Sequence, residues 1–326
     1  MPEATVTMRV WRGDPGGGQF VEYSLPAQEG EVVLDVVHRI QAGPAPDLAC
    51  RWNCKAGKCG SCSAEINGVP RLMCMTRMDT LPEGEPVTLT PMRTFPIVRD
   101  LVTDVTFNYE RARQVPPFQP GPPGPDGTYR MMQIDVERGQ EFRKCIECFM
   151  CQDVCHVIRD HDENKANYAG PRFFIRYMEL ESHPLDTNDR RQLIQQRMGL
   201  GYCNITKCCT EVCPEHIKIT DNGIIPLKER VVDARYDPVA WLGRKILGRK
   251  VAPLPPLEDG PSPIHVPPGR GGGRAAATVG AAAVAGGAKP LPGESYWGPP
   301  DSDGDGTGGA ASAAGSAPED RTIGES

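Results

Sequence analysis

The sequence predicts an α+β chain: a small N-terminal domain of strands and one helix (1–113), a stiff linker (114–128), a helical domain (129–250) and a disordered tail (251–326). Three observations carry this. Apolar residues alternate with polar ones near the N-terminus, then switch to helical spacing. All thirteen cysteines lie between Cys50 and Cys213, within the two folded parts. Beyond Lys250, Gly and Pro supply 28 of the last 76 residues and no apolar period remains, so that segment cannot bury enough surface to fold.

Each element has its own signal. Val6, Met8 and Val10 alternate as in a strand, Gly13 to Gly18 reads as a turn, and Phe20 to Leu25 as the returning strand of a hairpin. Val33, Val36, Val37 and Ile40 fall on one face of a helix. Ile66-Asn67-Gly68-Val69 reads as a tight hairpin, because Asn-Gly tolerates positive φ, and Val87 to Leu89 as a late strand. The linker is dense in Pro and Gly (Pro116, Pro117, Pro120, Gly121, Pro122, Pro123, Gly124). Further on, Asp186 or Thr187 is placed to cap a helix running to Met198 and ended by Gly199 and Gly201. Pro226 opens a stretch to Arg235, and Asp237-Pro238 starts another that ends near Gly248.

Composition narrows the function. The net charge of −6, of which the tail carries −5, argues against nucleic-acid binding, which needs a basic stripe. Met1 to Phe20 holds no apolar core of signal-peptide length, so export is not expected. Clustered cysteines in a protein that is not exported point to metal binding in preference to disulfides. No apolar run reaches the roughly 20 residues needed to span a bilayer. Ala275 to Ala288 comes nearest, and it is short and mostly Ala and Gly.

Cys54, Cys59 and Cys62 give C-x4-C-x2-C, and Cys74 follows. This is the plant-type spacing for a [2Fe–2S] cluster. Three thiolates wrap a small inorganic core from one loop, and the fourth arrives from a neighbouring strand. Gly57 and Gly60, between the ligands, let the backbone turn sharply and bring N–H groups near the sulfides. A set of buried structural thiols fits this spacing poorly. Cys50 falls outside it and is expected to be spare.

Cys145, Cys148, Cys151 and Cys155 form the bacterial-ferredoxin run C-x2-C-x2-C-x3-C, with His156 where Pro usually follows. In two-cluster ferredoxins the fourth cysteine of such a run serves the other cluster. The required second run is Cys203, Cys209 and Cys213-Pro214, with Thr206 in the middle-cysteine position. Crossing the runs assigns Cys145, Cys148, Cys151 and Cys213 to a [4Fe–4S] cluster. Cys155, Cys203 and Cys209 then hold a cluster with three thiolates, expected as [3Fe–4S]. Register sets Cys208 aside, because Cys209 stands four residues before Cys213 as the run demands. Zinc is the competing reading, and seven cysteines in two interlocking runs suit it less.

Over about residues 4–250 the sequence resembles the iron–sulfur subunit of succinate dehydrogenase and fumarate reductase. The resemblance rests on Arg51-Trp52-Asn53-Cys54-Lys55-Ala56-Gly57-Lys58-Cys59-Gly60-Ser61-Cys62, on Cys145-Ile146-Glu147-Cys148 and on Cys203 to Pro214. It implies a β-grasp plant-type ferredoxin domain followed by an all-α, double-cluster, bacterial-type ferredoxin domain. It implies a separate FAD-containing flavoprotein that handles succinate or fumarate, and membrane anchor subunits, haem-bearing in some members. Electrons pass through the [2Fe–2S], [4Fe–4S] and [3Fe–4S] clusters to quinone, in the respiratory chain and the tricarboxylic acid cycle. This chain then holds no catalytic residue and no FAD, consistent with the lack of a Gly-rich dinucleotide fingerprint. It would sit at the cytoplasmic face of the cell membrane, peripherally, through its partners.

The sequence departs from the family at His156, at Asn204, where many ubiquinone-linked members have His, and in lacking Trp soon after Cys155. The family's quinone-site residues are therefore not carried over. The Ala/Gly-rich tail suits a high-GC genome and makes menaquinone the expected acceptor. His156 either donates to quinone or relays protons, or is merely packed. Trp241, Leu242, Ile246 and Leu247, interleaved with Arg244, Lys245, Arg249 and Lys250, either press on an anchor or lipid or form a basic helix end. Two other functions compete: a carrier between soluble partners, and the cluster subunit of another flavin-linked quinone reductase. The second usually lacks the plant-type domain that Cys54 to Cys74 indicate.

Overall fold

In the computed structural model the described residues are 5–236 and 238–247. The tail expected to be disordered (251–326) and the positions Asp237, Gly248, Arg249 and Lys250 lie outside them. The described residues belong to one compact unit.

The N-terminal part is a five-stranded sheet with a helix laid on it. Strands β1 (Thr5–Asp14) and β2 (Gly17–Pro26) form the expected hairpin, tighter than the glycine run suggested. Helix α1 (Val33–Ala42) follows, then β3 (Ser63–Ile66), β4 (Val69–Leu72) and β5 (Val87–Thr90). The sheet order is β2-β1-β5-β3-β4. Strand β5 runs parallel to β1, with Met8 opposite Val87 and Val10 opposite Leu89; every other pair is antiparallel. Asn67 and Gly68 take φ of 50° and 78°, as the β3–β4 turn requires. Val33, Leu34, Val36, Val37 and Ile40 of α1 are buried against the sheet. At about 1.5–3 kcal/mol per buried aliphatic side chain, this face stabilises strands that would be marginal alone. The helix also fixes the chain around Cys74: the N–H of Leu34 donates to the Met73 carbonyl (3.1 Å) and that of Val33 to the Thr76 carbonyl (2.9 Å).

A short ribbon, β6 (Ile97–Arg99) with β7 (Val102–Thr103), and helix α2 (Thr106–Arg113) lead out of the sheet. The remainder is helical: α3 (Gln133–Arg143), α4 (Met150–Asp153), α5 (His156–Arg159), α6 (Pro171–Glu181), α7 (Arg191–Gln196), α8 (Cys208–Glu211), α9 (Ile225–Tyr236) and α10 (Pro238–Leu247). Helix α6 is the centre of the second core, burying Phe173, Phe174, Ile175, Tyr177, Met178 and Leu180. A wide π-turn, Ile219–Ile224, packs on it. No helix of the described residues is long and apolar enough to cross a membrane.

The helix expected from Asp186 or Thr187 to Met198 is a correction. Helix α7 starts only at Arg191 and ends at Gln196. Asp186 and Thr187 are engaged elsewhere: Asp186 Oδ1 accepts from the Gln119 N–H (3.2 Å), and the Thr187 N–H donates to the Gln119 carbonyl (2.9 Å). Buried Arg190 pairs with Asp186 at 2.9 Å and donates to the Pro116 and Pro117 carbonyls. The Pro/Gly-rich segment after α2 is thus strapped to the helical part.

The sheet and the helical part share a buried polar junction. Glu65 of β3, 1% exposed, pairs with Arg93 (2.9 Å) and with Arg159 at the end of α5 (3.3 Å). Asp153 of α4 accepts from the Thr94 N–H (3.0 Å). Burial, with Glu65 beside it, pushes the Asp153 carboxyl up to about 8. A protonated Asp153 is the state that lets two carboxyl groups sit together out of water.

Candidate metal centres

The loop between α1 and β3 carries Cys54, Cys59 and Cys62, and Cys74 joins them from just beyond β4. Lys55, Gly57 and Gly60 all take positive φ (54°, 67° and 67°), which curls the chain around one point. The N–H groups of Ala56 and Lys58 both donate to Cys54 Sγ at 3.3 Å. Burial works against the Cys59 thiolate, but hydrogen bonds from Ser61 and Cys54 prevail and bring this thiol down to about 7. Cys62 is in electrostatic contact with Cys74 and Cys59, and burial pushes its thiol up to about 12. Cys50 stands apart, its Sγ directed to the Arg51 carbonyl at 3.6 Å.

The second and third sites are built as a repeat. A shift of 58 residues carries Cys145 to Cys203, Cys148 to Thr206, Cys151 to Cys209 and Cys155 to Cys213. It also carries the left-handed residues Glu147 and Phe149 (φ 54° and 59°) onto Ile205 and Lys207 (66° and 64°). Such φ values are uncommon outside glycine, so their recurrence at matching places marks the same backbone winding. Each winding ends in a one-turn helix, α4 or α8, whose second residue is the cysteine, Cys151 or Cys209. Thr206 therefore occupies the place that Cys148 holds in the first winding.

The cysteines then exchange partners. Cys145, Cys148, Cys151 and Cys213 line one cavity, and the electrostatics couple Cys213 to each of the other three. Burial pushes the Cys148 thiol up to about 12 and that of Cys151 well above its ordinary value. Bare thiolates are disfavoured in this cavity; bound iron would reverse that preference. Cys155, Cys203 and Cys209 surround Tyr168. Cys155 Sγ lies 3.6 Å from Tyr168 Oη, and Cys209 Sγ lies 3.5 Å from Thr220 Oγ1. Cys208, excluded by register, nevertheless lies at this third site, its Sγ 3.4 Å from Thr206 Oγ1 and its thiol beside His156.

Among the described residues no three Cys, His, Asp or Glu side chains converge on a point for a single metal ion. Cys145, Cys148, Cys151 and Cys213 stand around one shared cavity, as ligands of a multi-atom core must. The four-cysteine cavity has a further feature that fits such a core. Arg172 lines it, and Arg172 Nε is enclosed with no acceptor among protein groups. A sulfur-rich anion held in the cavity would supply the acceptor that the protein does not. Sequence reading passed over Arg172 and Tyr168. A cation in the first turn of a helix, against the macrodipole, is the signal that marks Arg172.

The first and second sites touch. A Cβ at Gly60 would fall 2.6 Å from Cys148 Cα. Cys148 and Met150 are buried in the core of the sheet domain, and Lys58 Nζ meets Glu215 Oε1 at 2.8 Å.

Comparison with known proteins agrees with this division. Residues 7–110 match the family described as "2Fe-2S iron-sulfur cluster binding domain", and residues 141–217 match "4Fe-4S dicluster domain". The fumarate reductase iron–sulfur subunit of Mycobacterium tuberculosis is 33% identical over 206 residues, 61% of this chain and 80% of that protein. The succinate dehydrogenase iron–sulfur subunit of Bacillus subtilis is 28% identical over 215 residues, 61% and 81% of the two chains. A chain in a solved structure of the Mycobacterium smegmatis Sdh1 complex in the apo form is 67% identical. It superposes with a TM-score of 0.71, over 73% of this chain and 99% of that one. The chain belongs to the iron–sulfur subunit family of the oxidoreductases succinate dehydrogenase and fumarate reductase.

Proposed function

We propose that this chain carries electrons between the FAD of a flavoprotein subunit and membrane quinone, through one [2Fe–2S], one [4Fe–4S] and one [3Fe–4S] cluster. Cys54, Cys59, Cys62 and Cys74 hold the first. Cys145, Cys148, Cys151 and Cys213 hold the second, and Cys155, Cys203 and Cys209 the third. The sheet part is a β-grasp plant-type domain (1–113), and the helical part (129–250) is a double-cluster domain. The observation that carries the reading is the cavity in which Cys213 joins the first run. The contact of Gly60 with Cys148 supports a short path from the first site to the second, and the electrostatic contact of Cys209 with Cys151 a short path onward. Bound clusters supply one-electron transfer; the chain's residues ligate, bury and space them. Dicarboxylate chemistry belongs to the flavoprotein. Anchor subunits hold the chain at the cytoplasmic face of the membrane, where menaquinone accepts the electrons. Exposed Trp241, Leu242 and Ile246 on α10 are suited to that contact.

Iron and sulfide analysis of the purified complex, with low-temperature electron paramagnetic resonance, tests this. About nine irons per chain are expected from the three cluster types, with an oxidised three-iron signal and, on reduction, a [2Fe–2S] signal. A colourless or zinc-loaded protein refutes the reading. The register of the third site has its own test. Thr206→Cys puts a thiol where Cys148 stands in the repeat. It is expected to abolish the oxidised three-iron signal and to add one iron. Retention of that signal would count against the register.

A further inference from the structure

We infer that Arg172 sets the reduction potential of the second site, by donating its Nε–H to the cluster sulfur and placing a fixed positive charge against it. The inference rests on the [4Fe–4S] assignment above and deepens it. Arg172 is the second residue of α6 and its side chain is 12% exposed. The outer end of the guanidinium is accounted for: Nη2 donates to Glu147 Oε1 at 2.6 Å. The inner edge is not. Nε is enclosed and unpartnered, in the wall of the cavity formed by Cys145, Cys148, Cys151 and Cys213. The negative groups it feels from that side are Cys145 and Cys151.

The placement is costly on three counts. Burial strips water from the cation, the first turn of α6 opposes a positive charge, and an enclosed N–H lacks an acceptor. Glu147 answers only the outer edge, and it is itself about half exposed (49%). An anionic core ringed by thiolates answers the rest. One added electron places one more negative charge in the cavity, and no proton need follow because Arg172 stays charged at all working pH. Hydrogen bonds to sulfur and nearby net charge are the levers that set a cluster's potential. Arg172 therefore favours the reduced state, and Glu147 partly offsets it.

The test is a redox titration of the intact complex, followed by electron paramagnetic resonance. Arg172→Gln is expected to lower the midpoint potential of the second cluster, and Glu147→Gln to raise it, with iron content and the other two midpoints unchanged. Unchanged midpoints in a fully iron-loaded Arg172→Gln complex overturn the inference and leave the cluster assignment standing; no second cluster in the parent complex overturns the assignment. To keep the test independent of cluster retention in Arg172→Gln, the parent protein is also labelled with 15N-arginine. Pulsed resonance of its reduced second cluster is then expected to show hyperfine coupling to one guanidinium nitrogen, and absence of that coupling overturns the inference.

Discussion

Cys213→Ser is expected to abolish the [4Fe–4S] signal, with the loss of about four of nine irons, while the oxidised three-iron signal survives. Proximity in sequence would suggest the reverse. Cys213 stands four residues after Cys209, which is assigned to the third site, and 62 after Cys151. In space its thiol closes the cavity of the first run and is coupled to Cys145, Cys148 and Cys151. A serine hydroxyl is a harder and far less acidic donor than a thiol, so it does not replace a thiolate on iron. The converse variant, Cys209→Ser, is expected to remove the three-iron signal first. Loss of the three-iron signal alone in Cys213→Ser would mean that the two runs do not cross. Metal binding displaces protons from thiols that burial holds protonated. Assembly at this cavity is therefore expected to weaken as pH falls.

The grouping of these cysteines was legible because the spacing that suits a cluster is a local signal. Three ligands within nine residues, glycines between them, and a partner strand ended by Asn67-Gly68 are short-range signals. So is the crossing, because it follows from the run itself. The failures arose where a side chain's partner is distant. Asp186 looks like a helix cap until Gln119, 67 residues earlier, is found to occupy it. Helix α6 does carry a helical period, with Arg172, Arg176 and Glu179 along one face and Phe173, Phe174, Tyr177 and Met178 buried; what the period leaves unsaid is that the packing partner of this face is the π-turn some fifty residues on. The parallel pairing of β5 with β1 bridges most of the N-terminal domain and has no local mark. Arg172 is marked by its place against the dipole of α6, but what it answers is unreadable until the cavity beside it is known. The repeat of left-handed residues is invisible for another reason. Glu147, Phe149, Ile205 and Lys207 share no side-chain property; what they share is a φ imposed by winding around a common shape.

The contact between the first two sites yields the other large expected effect. Gly60→Ala is expected to destabilise the protein by about 2–5 kcal/mol, combining a left-handed conformation for alanine with overpacking. Gly60 has φ of 67°, and its added Cβ would stand 2.6 Å from Cys148 Cα, 2.8 Å from its N and 2.9 Å from its Cβ. These atoms belong to the backbone and root of a proposed ligand, so no flexible chain end is available to swing away. The Cys54–Cys62 loop and the Cys145–Cys151 winding must then separate, and electron transfer from the first cluster to the second should slow with them. Gly68→Ala is the control. Its φ is also positive (78°), yet nothing lies within 4 Å of its added Cβ, so only the conformational part of about 1–2 kcal/mol applies. Urea titrations followed by loss of cluster absorbance measure both variants, and rapid-freeze resonance measures reduction of the second cluster. Equal losses in the two variants would show that the Gly60 contact is not tight, and the short path from sheet to helices would lose its support.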